Sequence, residues 1–436
     1  GVALSPYLRI HADHTVTLVM GPVEMGQGAH TGLAVAAAEE LEVDPLHVRT
    51  EAAPVDAAYA NPLFGHQTTG GSTSVRGSFD RYRRAGAAAR EVLLRAAAEA
   101  WGVHPSECRA EAGHVLHDPS GWQAGYGDLA RRAAELRSPE EPLLKTPDQF
   151  RLIGHPAPRL DTFDLVTGRT VYGQDVARPD VQVATVLRCP VHGGRLANLR
   201  LNGADRGPGF RQALALPYGI AVLAEDFPAA LAARDRLLPE WDPGDNAQLD
   251  NAAIRRGLDD ALTREGEVHA AWGDAEAALG ASSRAREAVY TTPFLAHMPM
   301  EPMNATVVLG PEGCDIWTGT QAPGDALAAA AEAAGLPEDR VRIHTTAMGG
   351  AFGRRLETDY VAEAVRVARA AEVPVQVLWT RADDTHHDFY RPGHAARLHA
   401  GLDDTGRLAA WRLRIAGDRM AMGGVRMPYD VAHYRE

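Results

Sequence analysis

Three glycine-rich segments constrain the fold of this chain more than any other feature, because each precedes a stretch with helical periodicity. They are residues 21–28 (GPVEMGQG), 67–74 (QTTGGSTS) and 348–355 (MGGAFGRR). Backbone N–H groups at the start of a helix bind anions, and glycine lets a ligand approach the backbone closely. Taken singly, each segment could also be a tight turn. None has the GxxxxGK[ST] pattern or the GxGxxG pattern with its acidic partner, which disfavours an ATPase or a nicotinamide enzyme.

Hydrophobic periodicity predicts regular elements around these segments. Strands are predicted at 15–20 and 341–345, directly before the first and third segments. Helices are predicted at 30–41 after the first segment and over the Ala- and Arg-rich stretch 79–101 after the second. Gly102 is expected to be the C-cap of the longer helix.

Changes in composition divide the 436 residues into parts, and a chain of this length exceeds one ordinary core. The stretch 138–158 is rich in Pro, Glu and Lys and predicts a surface linker. We therefore expect a first segment at 1–150, a small unit of short strands and one helix at 161–245, and a second long segment at 246–436. The predicted fold class is α+β.

Charge and cysteine content exclude several classes of protein. Lys plus Arg number 44 against 57 Asp plus Glu, giving a net charge of −13, which disfavours nucleic acid as a partner. No window approaches 18 consecutive apolar residues, so no membrane span is predicted. The three cysteines have no CxxC spacing, which disfavours a disulfide framework or a zinc site. They are also too few for an iron–sulfur cluster, which usually takes four thiolates.

Other chemical signals leave alternatives open. Residues 383–388 (DDTHHD) and 299–303 (PMEPM) invite a metal interpretation, but adjacent histidines point different ways and methionine more often fills a core. Gln27 and Gln321 suit a heteroaromatic ligand or ordinary turn hydrogen bonding. The pair Arg354-Arg355 suits an anion contact or a solvated surface pair. No GxSxG or Cys/His/Asn signature supports a hydrolase.

Four motifs together resemble the molybdopterin-binding subunit of the xanthine dehydrogenase and aldehyde oxidase family. They are EMGQG at 24–28, TGGSTS at 69–74, GTQAP at 319–323 and GGAFG at 349–353. Because EMGQG precedes the small α+β unit, the order is similar to that in large subunits of the isoquinoline 1-oxidoreductase branch. Residues 294–304 and 388–392 are also similar to that branch, and the resemblance covers essentially the whole chain.

The resemblance implies molybdopterin-binding segments of mixed sheets and helices that flank a "hammerhead" domain at 161–245. It implies a molybdopterin cofactor, commonly the cytosine dinucleotide in bacteria, whose dithiolene holds the molybdenum, so no side chain is a metal ligand. Gln321 would hydrogen-bond an oxygen ligand of the metal, and Phe352 would lie beside it. The implied cofactor contacts are Gly26, Gln27, Gly28, Gly70, Gly71, Ser72, Thr73, Ser74, Gln321, Gly350, Ala351, Phe352, Gly353 and Arg354.

The implied activity is hydroxylation of an N-heterocycle or an aldehyde by water. Two electrons would leave to a small 2Fe–2S subunit, with a cytochrome c as a possible further acceptor. The family's catalytic glutamate stands in a Gly-Glu segment near the C-terminus of a longer chain, so we expect an N-terminal portion that lacks this base. Glu357 is not assigned that role, and the region between Gly417 and Met427 is expected to be shortened.

Two further expectations complete this interpretation. The alternative function is a non-catalytic module that binds the cofactor or a nucleotide without doing chemistry, and the missing base is the reason for considering it. The expected location is the periplasm, with the cytoplasm as the alternative, because members of the resembling branch often carry a twin-arginine export signal.

Overall fold

The computed structural model describes residues 1–417 and 427–436, and its first part is an α+β unit. The elements of this unit are β1 (Val2–Ser5), β2 (Leu8–Ile10), β3 (Val16–Met20), α1 (Ala29–Leu41), β4 (Val48–Ala52), α2 (Ser74–Trp101), β5 (Cys108–Glu111), β6 (His114–His117), β7 (Trp122–Gly125) and α3 (Tyr126–Ala134). The predicted strand and both predicted helices are confirmed, although α2 begins five residues before the predicted start.

The N-terminal unit packs its helices against a four-stranded sheet of order β1-β2-β3-β4. Strands β3 and β4 are parallel and connected through α1, so the first glycine segment lies where the chain leaves β3 for the crossover helix. Gly86 lets α1 and α2 approach closely, because a β-carbon there would overlap the carbonyl of Ala37. Gly102 has φ +70° and donates its N–H to Ala98, which confirms the predicted C-cap.

The middle part contains short strands around one longer helix, as predicted. Its elements are α4 (Thr162–Val166), β8 (Gln182–Arg188), β9 (Arg195–Arg200), β10 (Phe210–Leu216), β11 (Gly219–Ala224), α5 (Phe227–Arg234) and β12 (Leu238–Asp242). The preceding linker, 138–158, is tied to α1, because Glu39 accepts hydrogen bonds from three backbone amides at 151–153.

The last part returns to longer elements. They are α6 (Asn251–Thr263), β13 (Ala271–Trp272), α7 (Ala275–Ala281), β14 (Arg284–Thr292), β15 (Asn304–Gly310), β16 (Gly313–Thr318), α8 (Pro323–Ala334), β17 (Val341–Thr345), α9 (Asp359–Ala371), β18 (Val375–Leu378), α10 (Arg381–His386), β19 (His394–Leu402), β20 (Leu408–Gly417) and β21 (His433–Arg435). The expected shortening after Gly417 falls on residues outside those described.

A seven-stranded mixed sheet joins the middle and last parts, in the order β10-β11-β8-β18-β15-β16-β17. Strand β8 pairs in parallel with β18, with Gln182 opposite Val375. Residues of both parts, such as Ala184 and Val307, share one apolar core covered by α8 and α9. The boundaries at 150, 161 and 245 stay a prediction, since a sheet crosses from one part to the next.

A second sheet of the last part has the order β13-β21-β20-β19-β14. Across the described ranges, no helix is both long enough and apolar enough to cross a bilayer.

Candidate cofactor-binding site

The first glycine loop, residues 24–28, is closed by its own carboxylate. Glu24 Oε1 accepts hydrogen bonds from the amides of Gly26 (3.0 Å) and Gly28 (2.9 Å), and Oε2 accepts from the amide of His30 (3.1 Å). Gly26 and Gly28 have φ of +101° and +77°, a backbone region that L side chains rarely adopt. The carboxylate therefore occupies the place that an external anion would take at the start of α1.

The Gln27 side chain makes turn hydrogen bonds within the same loop. Its Nε2 donates to the carbonyl of Val23 (2.9 Å), and its Oε1 accepts from the amide of Met25 (2.7 Å). The backbone at Gly26 is exposed, and a β-carbon added there would meet nothing within 4 Å. The Gln27 amide is therefore engaged within the loop, and the backbone at Gly26 is open to a ligand.

The second glycine loop, residues 70–74, leaves the start of α2 open. Thr73 donates its hydroxyl to the carbonyl of Gly70 (2.7 Å) and accepts from Nδ2 of Asn61 (2.7 Å), so it does not cap the helix. Gly71 and Ser72 have φ of +57° and +56° and are exposed. The first turn of α2 contains no acid. Within the described ranges, the amides of residues 74–76 have no hydrogen-bond acceptor.

Gln321, in the connection between β16 and α8, brings the loops together. Its Nε2 donates to the carbonyl of Thr69 (2.8 Å), and its Oε1 accepts from the amide of Gly353 (3.0 Å). Thr69 in turn accepts a hydrogen bond from the amide of Val23 through its hydroxyl (3.0 Å). Gln321 is 2% exposed. The three predicted segments are therefore neighbours, although they lie far apart in sequence.

The third glycine loop, residues 349–353, packs against the first through an apolar contact and exposes its far end. Ala351 and Met348 are buried with Val23 in one small cluster. Phe352 has φ +56° and is 60% exposed, although a phenylalanine rarely adopts that backbone region. Gly353 follows with φ +109°. Strain of this kind in a loop is a pointer to function, because the surrounding fold must hold it in place.

Arg354 and Arg355 are fully buried, which excludes the alternative of a solvated surface pair. Arg355 donates to Oε2 of Glu301 (2.9 Å), which also accepts from the amide of Gly349 (2.9 Å). Arg354 donates to both carboxylate oxygens of Asp359 (2.8 Å each). Buried charges persist only when they are paired, and these carboxylates provide the pairing. Both guanidinium groups are therefore held by carboxylates under the loop, and the cofactor contact implied for Arg354 stays a prediction.

The acidic and histidine residues at 383–388 face separate partners. Asp383 pairs with Arg234, and Asp384 pairs with Arg381 (2.5 Å). Burial and repulsion from Asp388 raise the pKa of Asp384, while nearby arginines oppose that shift. Among the described residues, no three His, Cys, Asp or Glu side chains are grouped to hold a metal ion.

A cavity of about 270 Å³ lies behind the first loop, lined by that loop, by the 159–172 stretch and by Thr345 and Thr346. Arg159 reaches across and donates to the carbonyl of Gly26 (2.8 Å). His30 lines the cavity, and burial lowers its pKa. The first loop is thus supported from both sides, by Glu24 within and by Arg159 behind.

Several residues that shape the site have no role in the sequence-based prediction. Glu24 and Glu301 lie inside its motifs without an assigned role, and Asn61 and Asp388 are not predicted as loop supports. Glu24 has a local signal, because an acid just before a helix start is a typical acceptor for its first amides. The partners of Glu301 and Asn61 are set by tertiary contacts, which leave no local signal.

Comparisons with known proteins agree with this geometry. Residues 5–174 and 260–428 match two family models, each described as a molybdopterin cofactor-binding domain. The chain is 34% identical to the beta subunit of isoquinoline 1-oxidoreductase from Brevundimonas diminuta, over 95% of this chain and 59% of that protein. It is 27% identical to a nicotinate dehydrogenase subunit of Pseudomonas putida, over 94% of this chain and 34% of that protein.

A solved structure shows the same fold at low sequence identity. The aldehyde oxidoreductase from Desulfovibrio gigas superposes with a TM-score of 0.54 at 16% identity, covering 71% of this chain and 41% of that one. The chain is thus built largely from molybdopterin-binding domains, and it belongs to the molybdopterin-binding subunits of the xanthine dehydrogenase and aldehyde oxidase family. It spans about half the length of the relatives it matches. The predicted family and the α+β fold class are confirmed.

Proposed function

We propose that this chain works in a molybdenum hydroxylase that oxidises an N-heterocycle or an aldehyde with water. The names of its relatives support this substrate range, since they include an isoquinoline oxidoreductase, a nicotinate dehydrogenase and an aldehyde dehydrogenase from Gluconacetobacter polyoxogenes. The substrate stays within these two classes, because it is the site rather than the fold that selects a substrate.

The open start of α2 is the main structural support for this function. Its free amides at 74–76 form an anion site at one end of the loop cluster, and the exposed Phe352 beside the half-buried Gly353 forms an apolar end. Gln321 joins the two ends. A cofactor with a diphosphate at one end and a neutral ring system at the other fits this donor set.

The cytosine dinucleotide form of molybdopterin is such a cofactor. In this proposal Gly70, Gly71 and Ser72–Ser74 hold its diphosphate, and the backbone at Gly26 and Gln27 contacts the pterin. When bound, the cofactor supplies the redox chemistry that side chains lack. The residues of this chain bind and orient it, and Gln321 keeps one amide proton for a further hydrogen bond.

The electrons leave through a small 2Fe–2S subunit and a cytochrome c in this proposal. The three cysteines are all buried and unpaired, and an iron–sulfur cluster usually takes four thiolates. A periplasmic location also stays a prediction, which fractionation of cells that express the full reading frame tests.

The experiment is metal and nucleotide analysis of the chain purified from a host that makes the cofactor. We expect molybdenum near one atom per chain, and cytidine monophosphate released by acid. Gly71→Val should reduce both, because it blocks the second loop. Gly121→Val is the matched control, since Gly121 also has positive φ but lies in the β6–β7 turn at the far end of α2, about 40 Å away by helix rise. Nucleotide without molybdenum would favour the non-catalytic module. Absence of both molybdenum and nucleotide would contradict the proposal for this chain.

A further inference from the structure

His297 lies in the connection between β14 and β15 and is held rigidly by Asp388. Asp388 accepts a hydrogen bond from the backbone amide of His297 (2.5 Å) and lies 3.0 and 3.1 Å from its ring Nδ1. The Asp388 side chain is 1% exposed. A carboxylate accepts hydrogen bonds only, so Nδ1 carries the proton and Nε2 has the free lone pair in the neutral ring.

The free Nε2 atom lies beside the third glycine loop. A β-carbon added at Gly353 would lie 3.4 Å from it, so glycine leaves this nitrogen uncovered. No hydrogen-bond partner for Nε2 is present among the described residues. The side chain is 10% exposed, and its neighbour Phe352 is largely exposed. An oriented and unengaged imidazole nitrogen therefore faces the loop at which the proposed function places the ring system of the cofactor.

Charged groups surround this ring on several elements. Arg354 Nε lies 3.1 Å from Asp388 Oδ1, and Asp359 pairs with Arg354 from the start of α9. Burial and repulsion from Asp359 raise the pKa of Glu357, while Arg354 and His297 lower it, so Glu357 is within electrostatic reach of the ring. The side chains around the ring thus include both signs of charge, and Asp388 is the one that hydrogen-bonds it among the described residues.

We propose that His297 is a proton acceptor for the reaction at this site and that Asp388 is its positioning residue. The inference rests on the proposed hydroxylation. Converting a C–H bond to a C–OH bond with water releases two protons and two electrons. The electrons pass one at a time to the 2Fe–2S partner. His297 Nε2 takes one of the protons and passes it to solvent, and the other proton is released to water. An Asp-oriented histidine is suited to this task, because the carboxylate stabilises the imidazolium that forms.

Two substitutions at one position separate proton transfer from support of the loop. Asparagine in His297→Asn places its amide nitrogen near the Nδ1 position, so it keeps the hydrogen bond to Asp388 and removes Nε2. Glutamine in His297→Gln places an amide near the Nε2 position but does not titrate. In the full enzyme, both should keep the molybdenum and nucleotide content of the wild type. Both should lower kcat by about 10²-fold or more and abolish its acidic limb.

A spectroscopic readout on the cofactor-free chain tests the same idea without activity. In long-range ¹⁵N–¹H spectra of histidine-labelled protein, the signals lost in His297→Asn should show the Nδ1–H tautomer of the neutral ring. The opposite tautomer would overturn the proposal even if the chain binds molybdenum. Unchanged kcat and pH profile in His297→Asn, or loss of molybdenum from both variants, would also overturn it. If the wild-type chain shows this tautomer but binds no cofactor, the result would contradict the proposed function and not the orientation of His297.

Discussion

The first and second glycine loops both lead into a helix of the N-terminal unit, yet the amides at those helix starts meet different partners. In the first loop, Glu24 accepts hydrogen bonds from three amides around the start of α1. In the second, the hydroxyl of the N-cap residue, Thr73, is turned back to Gly70 and Asn61 and does not cap the helix. The amides of the first loop are hydrogen-bonded by the chain itself, and those of the second are available to a ligand.

This contrast shows that glycine content alone does not identify an anion site. Both loops have glycines with positive φ, and both start a helix. What differs is a single carboxylate placed before the helix, which neutralises the partial positive charge of its first turn. The two helices also differ in their buried acidic side chains, since α1 buries Glu39 and Glu40 and α2 buries no acid.

Removing the carboxylate from the first loop should have the largest effect. Glu24→Ala leaves the amides of Gly26, Gly28 and His30 without their acceptor, and hydrogen bonds to a charged group are worth about 1.5 kcal/mol or more each. We expect the free energy of unfolding in urea to fall by roughly 4 kcal/mol. Glu24→Gln keeps an oxygen acceptor and should lose less than half of this. Equal losses in the two variants would show that a neutral acceptor oxygen does not suffice, and a loss below about 1 kcal/mol in Glu24→Ala would contradict the role of Glu24 in closing the loop.

The buried acid of α1 should make this side of the molecule sensitive to pH. Burial alone would raise the pKa of Glu39, but Lys145 and the amides at 151–153 outweigh it and lower the pKa to about 2. Because the folded-state pKa lies below the unfolded one, this stabilisation is complete above about pH 4.5 and is lost as the pH falls towards 2. The loss amounts to about 3 kcal/mol.

Urea unfolding at a series of pH values checks this expectation. Glu39→Gln should be less stable than the wild type at pH 7 and should lack the steep loss of stability between pH 4.5 and 2. Glu135→Gln, an exposed acid just after α3, should keep that loss. If Glu39→Gln retains the wild-type slope, the acid sensitivity comes from other carboxylates.

The amino-acid sequence predicts the elements that depend on local pattern. Helix α1 is found within one residue of its predicted start, and Gly102 ends α2 as expected. The first turn of α2 was missed because residues 74–78 include serine and glycine, which are weak helix formers. Tertiary packing makes that turn helical despite its low propensity.

The candidate site was predicted as a set of loops but not as an arrangement. The motifs pointed to Gln321 and Gly353, and the structure joins them by a hydrogen bond. The burial of Arg354 and Arg355 could not be predicted, because Asp388 and Glu301, which pair with them in addition to the nearby Asp359, lie at distant positions in sequence. A local pattern shows that a residue is charged, whereas its partner is chosen by the fold.

A carboxylate added to the second loop should make it resemble the first, with the smallest expected effect on stability. Ser72→Asp adds a carboxylate beside the open start of α2, at an exposed position whose positive φ aspartate and asparagine tolerate. The new charge should stabilise the free protein by about 0.5 kcal/mol and compete with a phosphate ligand. Calorimetry with cytidine diphosphate should show about tenfold weaker binding, or about 1.4 kcal/mol. Ser72→Asn has the same shape without the charge and should bind within twofold of the wild type. Equal binding by both variants would mean that the second loop is not where the diphosphate lies, and the contrast between the loops would then be structural only.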